Sequence, residues 1–225
     1  MRWTQAVLPL RNESAFIRRR GRSKAGAGMM MAIRLRLYQL LMLALLVSPA
    51  AAQDPIDLGD QPGLEPDPAD EQLSADLQKT IVFYRTHEPP GTIIVQTSER
   101  YLYYVLGNGR AIRYGIGVGR EGFQWQGLIK ITRKQEWPDW TPPPEMIDRQ
   151  PYLPRWMAGG PGNPLGARAL YLGTTVYRIH GTNQPQTIGT AVSSGCFRLV
   201  NPDVIDLYDR TPVGTKVIVR QQPKL

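Results

Sequence analysis

Residues 178–208 read RIHGTNQPQTIGTAVSSGCFRLVNPDVIDLY, and they hold the only cysteine of the chain, Cys196, and one of its two histidines, His180. A lone cysteine is commonly a small buried hydrophobe. Here it follows Ser193-Ser194-Gly195 and precedes Phe197-Arg198, a small-residue turn in which the backbone can approach another molecule closely. A thiol attacks carbonyls as thiolate, and an unperturbed cysteine is largely protonated at neutral pH. A neighbouring imidazole can take that proton and return it to a leaving amine. Backbone N–H groups at the turn can hold the oxyanion that develops. Cys196 and His180 are therefore a candidate nucleophile and base. A structural zinc site needs four ligands of this kind, so no metal and no cofactor is expected.

The surroundings of the stretch sharpen this reading. Residues 1–52 carry nine Lys/Arg and one acidic residue, which accounts for the whole formal charge of +8. Nucleic-acid binding inferred from net charge alone therefore loses its support. The order from Met31 is a basic segment, the apolar run Leu37–Val47, then Ser-Pro-Ala-Ala-Ala, the order of a secretory signal peptide. Cleavage after Ala52 gives an exported protein with no stable membrane span, since the apolar run is shorter than the ~20 residues a spanning helix needs. Residues 1–28 precede a complete signal and are read as a non-structural extension, with Met29, Met30 or Met31 as the start. In an oxidising compartment structural cysteines come in pairs, so an unpaired Cys196 points to a reactive thiol.

Residues 53–78 form the next unit. Eight acidic residues and no basic ones fall in 53–76, with Pro55, Pro62, Pro66 and Pro68 among them, which reads as a disordered tether. Residues 77–225 then hold 18 basic and 10 acidic groups, a balance suited to an anionic polymer. Folded structure is expected over 79–222. Strand-like runs occur from Thr80 and at Thr92–Gln96, Tyr101–Leu106, Ala111–Gly117, Leu128–Arg133, Ala169–Leu172, Val176–His180 and Lys216–Arg220. Their short Gly/Asn/Ser connections predict an antiparallel meander. Asn201 is the expected N-cap of a helix running to Asp209, with Pro202 in its first turn. The fold class is mostly β, a sandwich or barrel with one or two short helices. Residues 136–168, rich in Trp, Pro and Gly, are expected to be a long irregular lid-like loop. Trp137, Trp140, Tyr152 and Trp156 either line a cleft or pin that loop to the core. His87, in the HEPPG turn, reads as a surface residue.

HGTN, the sixteen-residue step from His180 to Cys196, SSGCFRL and NPDVIDLY together resemble the catalytic signature of the L,D-transpeptidase family. The GIGVG turn, the NPLGARALYL run from Asn163 and the closing VGTKVIV extend the likeness over roughly residues 80–220. The resemblance implies a periplasmic, cell-wall-associated enzyme of peptidoglycan biosynthesis. Its donor would be a tetrapeptide stem, cut at the diaminopimelate–D-Ala amide. By position, Cys196 is the nucleophile and His180 the base. Gly195, Ser194, Arg198 and Gly181 are the candidate oxyanion and substrate-binding residues, and a carbapenem would acylate Cys196. Many members carry histidine where this chain has Ser194, which leaves His180 as the one local imidazole. The resemblance leaves the acceptor open: a second stem, an envelope-protein amine or water. A non-catalytic wall-binding module is the reading from outside enzymology.

Overall fold

A computed structural model describes residues 61–68 and 72–222, all within one compact unit, Pro55–Leu225. The predicted export segment, residues 1–52, lies outside the described residues. Eleven strands and two α-helices occur among the described residues, so the chain is mostly β, as expected.

The meander comes first. β1 (Thr80–Phe83), β2 (Ile93–Gln96), β3 (Tyr101–Gly107) and β4 (Arg110–Gly115) are short β-branched and aromatic runs, which suit a pleated surface. β2 pairs β3 and β3 pairs β4, both antiparallel, with Val95 opposite Leu102 and Leu102 opposite Tyr114. The β3–β4 connection turns through Gly107, Asn108 and Gly109, all at positive φ, a backbone that glycine and asparagine tolerate.

The rest of the sheet closes around the carboxy-terminal motif. β5 (Val118–Gly119), β6 (Gly127–Glu136), β7 (Arg168–Leu172), β8 (Arg178–His180), β9 (Ala191–Ser193), β10 (Phe197–Arg198) and β11 (Lys216–Arg220) follow in order. One nine-stranded sheet runs β1-β4-β3-β2-β11-β6-β7-β8-β10, and β5 pairs β9 beside it. β11 joins the two halves, parallel to β2 through Val217–Ile93 and antiparallel to β6 through Val217–Ile129. The main core takes Ile93, Leu102 and Tyr114 from one half, Ile131, Leu170 and Ile179 from the other, and Val204 and Leu207 from a helix. That helix, α2 (Asn201–Arg210), follows the shorter α1 (Pro144–Arg149). Val204 and Leu207 are three apart, so they share the face that enters the core. Full burial of each is worth about 1.5–3 kcal/mol.

Three local expectations change. The N-cap of α2 is Val200, with no side-chain cap. Asn201 instead accepts from the Ala167 N–H (2.9 Å) and donates to the Thr182 carbonyl (3.0 Å), because two loops packed against the helix start compete for its amide. Residues 136–168 are not wholly irregular. They contain α1 and a small core of Trp140, Met146, Leu153 and Leu165, with Trp140 bridged to Met157. Trp140 is buried, while Trp137, Tyr152 and Trp156 are exposed. Finally, part of the stretch read as a disordered tether is bonded to the domain. Gly63 N–H donates to the Gly162 carbonyl (2.9 Å), and Asn183 Nδ2 donates to the carbonyls of Gln61 (2.7 Å) and Leu64 (3.1 Å).

Candidate active site

The motif is brought together by a strand pair too short to read from sequence. β10 lies parallel to β8, with Phe197 opposite Ile179 and Arg198 opposite His180. Leu199 N–H then donates to the His180 carbonyl (2.9 Å). Cys196, one residue before β10, is thereby carried beside the end of β8. His180, Cys196, Ser194, Arg198 and Arg178 all line one cavity, together with Trp140, Pro143 and Met146 from the α1 region. The expected nucleophile and base therefore do share a cleft. His87 is exposed and belongs to the β1–β2 connection.

Cys196 is half-buried, and its Sγ lies 3.9 Å from the Val176 carbonyl oxygen. His180 is 2% exposed. Its Nδ1 is 2.6 Å from the Gly181 carbonyl oxygen, which can only accept. Nδ1 therefore carries the ring proton and Nε2 the lone pair. Burial pushes the His180 pKa down to about 3, the Arg198 and Arg178 charges add to the fall, and the carbonyls of Gly181 and Leu165 oppose it. At neutral pH the imidazole is uncharged. A base of this kind does not hold a standing imidazolium; it accepts the thiol proton as the sulfur attacks.

The turn around Cys196 is stapled from within. Ser193 Oγ donates to the Cys196 carbonyl (2.7 Å) and accepts from the Gly195 N–H (3.1 Å). Gly195 sits at φ +105°, the left-handed side of the map. A Cβ there would lie 2.6 Å from Tyr177 Cε1 and 3.0 Å from the Phe123 carbonyl oxygen, so glycine is required on two counts. The Gly195 N–H is bonded to Ser193 Oγ, and the next N–H along the turn is that of Cys196.

Ser194 and Arg198 line the cavity, and Arg149 Nη2 approaches Ser194 Oγ at 3.4 Å. Arg198 is fully buried, which places a cation deep in the cleft. Gly181 is packed against Asn201, whose side-chain oxygen a Cβ would strike, and its N–H donates to the Arg168 carbonyl (3.0 Å). Its contribution is the carbonyl that sets the His180 tautomer. Ser193 and Trp125, whose Nε1–H donates to the Gly195 carbonyl (2.9 Å), were not singled out by sequence. Serine two residues before Gly-Cys was the available signal for the first; the second had none. Among the described residues no group of three or more His, Cys, Asp or Glu could hold a metal ion.

A family model described as YkuD, L,D-transpeptidase catalytic domain, matches residues 90–219. The probable L,D-transpeptidase ErfK/SrfK of Escherichia coli (strain K12) is 41% identical over 140 residues, 58% of this chain and 44% of that protein. The putative L,D-transpeptidase in ATP synthase subunits region ORF 5 of Fuscovulum blasticum is 44% identical over 132 residues, 56% of this chain and 68% of that protein. The match thus spans less than half the length of the first relative. A solved Brucella melitensis structure, described as a probable carnitine operon oxidoreductase caia, is 46% identical. It covers 67% of this chain and 98% of that one, at a TM-score of 0.44.

Proposed function

The chain belongs to the L,D-transpeptidase family, and on that premise we propose that it cross-links peptidoglycan by cysteine acyl transfer. The observation that carries the reading is the shared cleft of Cys196, neutral His180 and the cations Arg178 and Arg198. Cys196 Sγ bonds to the carbonyl carbon of the diaminopimelate–D-Ala amide of a donor tetrapeptide. His180 Nε2 takes the thiol proton as the carbonyl π-pair moves onto oxygen. Collapse of that intermediate breaks the C–N bond, and the leaving nitrogen of D-Ala receives the proton from His180. The product is a thioester. An acceptor amine then attacks it, losing its proton to the same imidazole, and the thiol is restored.

The basic cleft suits this donor, because each stem peptide carries carboxylates near the scissile bond. Members of the family are typically associated with the cell wall. The signal-like residues 1–52 support an exported, periplasmic enzyme made of a leader, a linker over 53–78 and a catalytic domain over 79–222. The same thioester also admits an envelope-protein amine or water as acceptor.

The test is direct. Protein beginning at Gln53 is incubated with purified tetrapeptide muropeptides, and the products are read by mass spectrometry. Loss of D-Ala and dimers joined through two diaminopimelates are expected, both absent in Cys196→Ala. Tripeptide alone would redirect the thioester to water, and unchanged substrate would refute the proposal. A carbapenem adduct on Cys196 is expected in the same experiment.

A further inference from the structure

Trp125 lies in the connection between β5 and β6, about seventy residues before the motif, yet it touches the motif at three points. Its Nε1–H donates to the Gly195 carbonyl at 2.9 Å. Its ring stacks on Tyr177, with centroids 4.8 Å apart and planes at 12°. It also leans on Phe197 at 5.6 Å and 39°. Tyr177 immediately precedes the strand that presents His180, and Phe197 immediately follows Cys196. The indole is therefore wedged between the two elements that carry the base and the nucleophile.

The bond to Gly195 has a particular geometric meaning. The peptide unit is planar and trans, so the Gly195 carbonyl and the Cys196 N–H point in opposite directions within one rigid plate. Gripping the oxygen sets the direction of the N–H. Rotation of that plate is otherwise easy, because glycine at positive φ has several backbone wells of similar energy. Ser193 Oγ restrains the two flanking peptide units, through the Gly195 N–H and the Cys196 carbonyl. The central plate has the indole as its restraint on the carbonyl side.

Resting on the acyl-transfer reading above, we propose that Trp125 is a positioning residue for that reaction. It holds the Gly195–Cys196 peptide so that the Cys196 N–H is aimed at the developing oxyanion before substrate arrives. Preorganisation of this kind lowers the barrier because the dipole need not reorient as charge appears. A direct oxyanion donor is worth about 10²–10³ in rate, so loss of its support is expected to cost roughly tenfold.

Trp125→Phe keeps an aromatic ring for Tyr177 and Phe197 and removes the N–H. Two rates are compared with wild type: D-Ala release from the tetrapeptide, and alkylation of Cys196 by iodoacetamide. Alkylation is a substitution at saturated carbon and generates no oxyanion. The expected result is a roughly tenfold lower kcat with KM and the alkylation rate within about twofold of wild type. Equal falls in both rates, or no fall in either, overturn the proposal. Trp125→His keeps a ring N–H on a smaller body and is expected to recover part of the kcat that Trp125→Leu loses; no recovery overturns it as well. Wild-type protein that alkylates but releases no D-Ala would instead refute the acyl-transfer reading itself.

Discussion

Asn201→Ala tests how α2 is coupled to the catalytic loop. The side-chain amide accepts from Ala167 N–H at 2.9 Å and donates to the Thr182 carbonyl at 3.0 Å. Both of those residues are 1% exposed, so neither orphaned group can turn to solvent without local opening. A buried polar group left unpaired costs about 1–3 kcal/mol. With partial relaxation, the two together are expected to lower stability by about 2–4 kcal/mol. For a domain of this size that is a melting temperature lower by ~6–12 °C. The assay is urea denaturation followed by tryptophan fluorescence, with the slope unchanged and the midpoint lowered. Because Asn201 also packs against Gly181, whose carbonyl holds His180 Nδ1–H, D-Ala release should fall in the folded fraction too. A destabilisation below about 0.5 kcal/mol, the range of ordinary surface substitutions, would refute the reasoning.

Gly195→Ala places a side chain at φ +105° and 2.6 Å from Tyr177 Cε1; a strain of about 1–3 kcal/mol is expected, with D-Ala release lost more completely than thermal stability. The pKa of His180 is depressed to about 3 from 6.5, so as pH falls the unfolded chain binds its proton first. This group's contribution to stability is full above pH 6.5 and declines between there and about 3. Urea titrations at pH 7.5 and 5 should show a loss on acidification that is smaller in His180→Gln; an equal loss in both proteins would count against the buried neutral imidazole. In the acylation profile the same depression predicts no His180-dependent inflection near pH 6.5, and one that vanishes in His180→Gln would contradict it. Asn183→Ala removes the donor to the carbonyls of Gln61, Leu64 and Gly162, and limited proteolysis should then cut residues 61–64 faster than in wild type.

The sequence by itself brought forward the candidate nucleophile and base and most of the strands. Cys196 and His180 were legible because the chain has one cysteine and so few histidines. The meander was legible because short β-branched and aromatic runs and Gly/Asn turns are local properties. Tertiary structure decided what those residues are bonded to. β10 is only Phe197–Arg198, and no pattern two residues long can announce that it pairs with β8. Asn201 has the sequence of a helix cap, but its amide goes to Ala167 and Thr182, since contacts across 34 and 19 residues outbid a local one. Gly195 reads as an oxyanion or substrate-binding residue, and only the packed turn shows its N–H bonded to Ser193 Oγ. Trp125 reads as one aromatic among several until its indole is found on the Gly195 carbonyl. Residue type supplies a group's chemistry; only the packed chain supplies the partner that directs it.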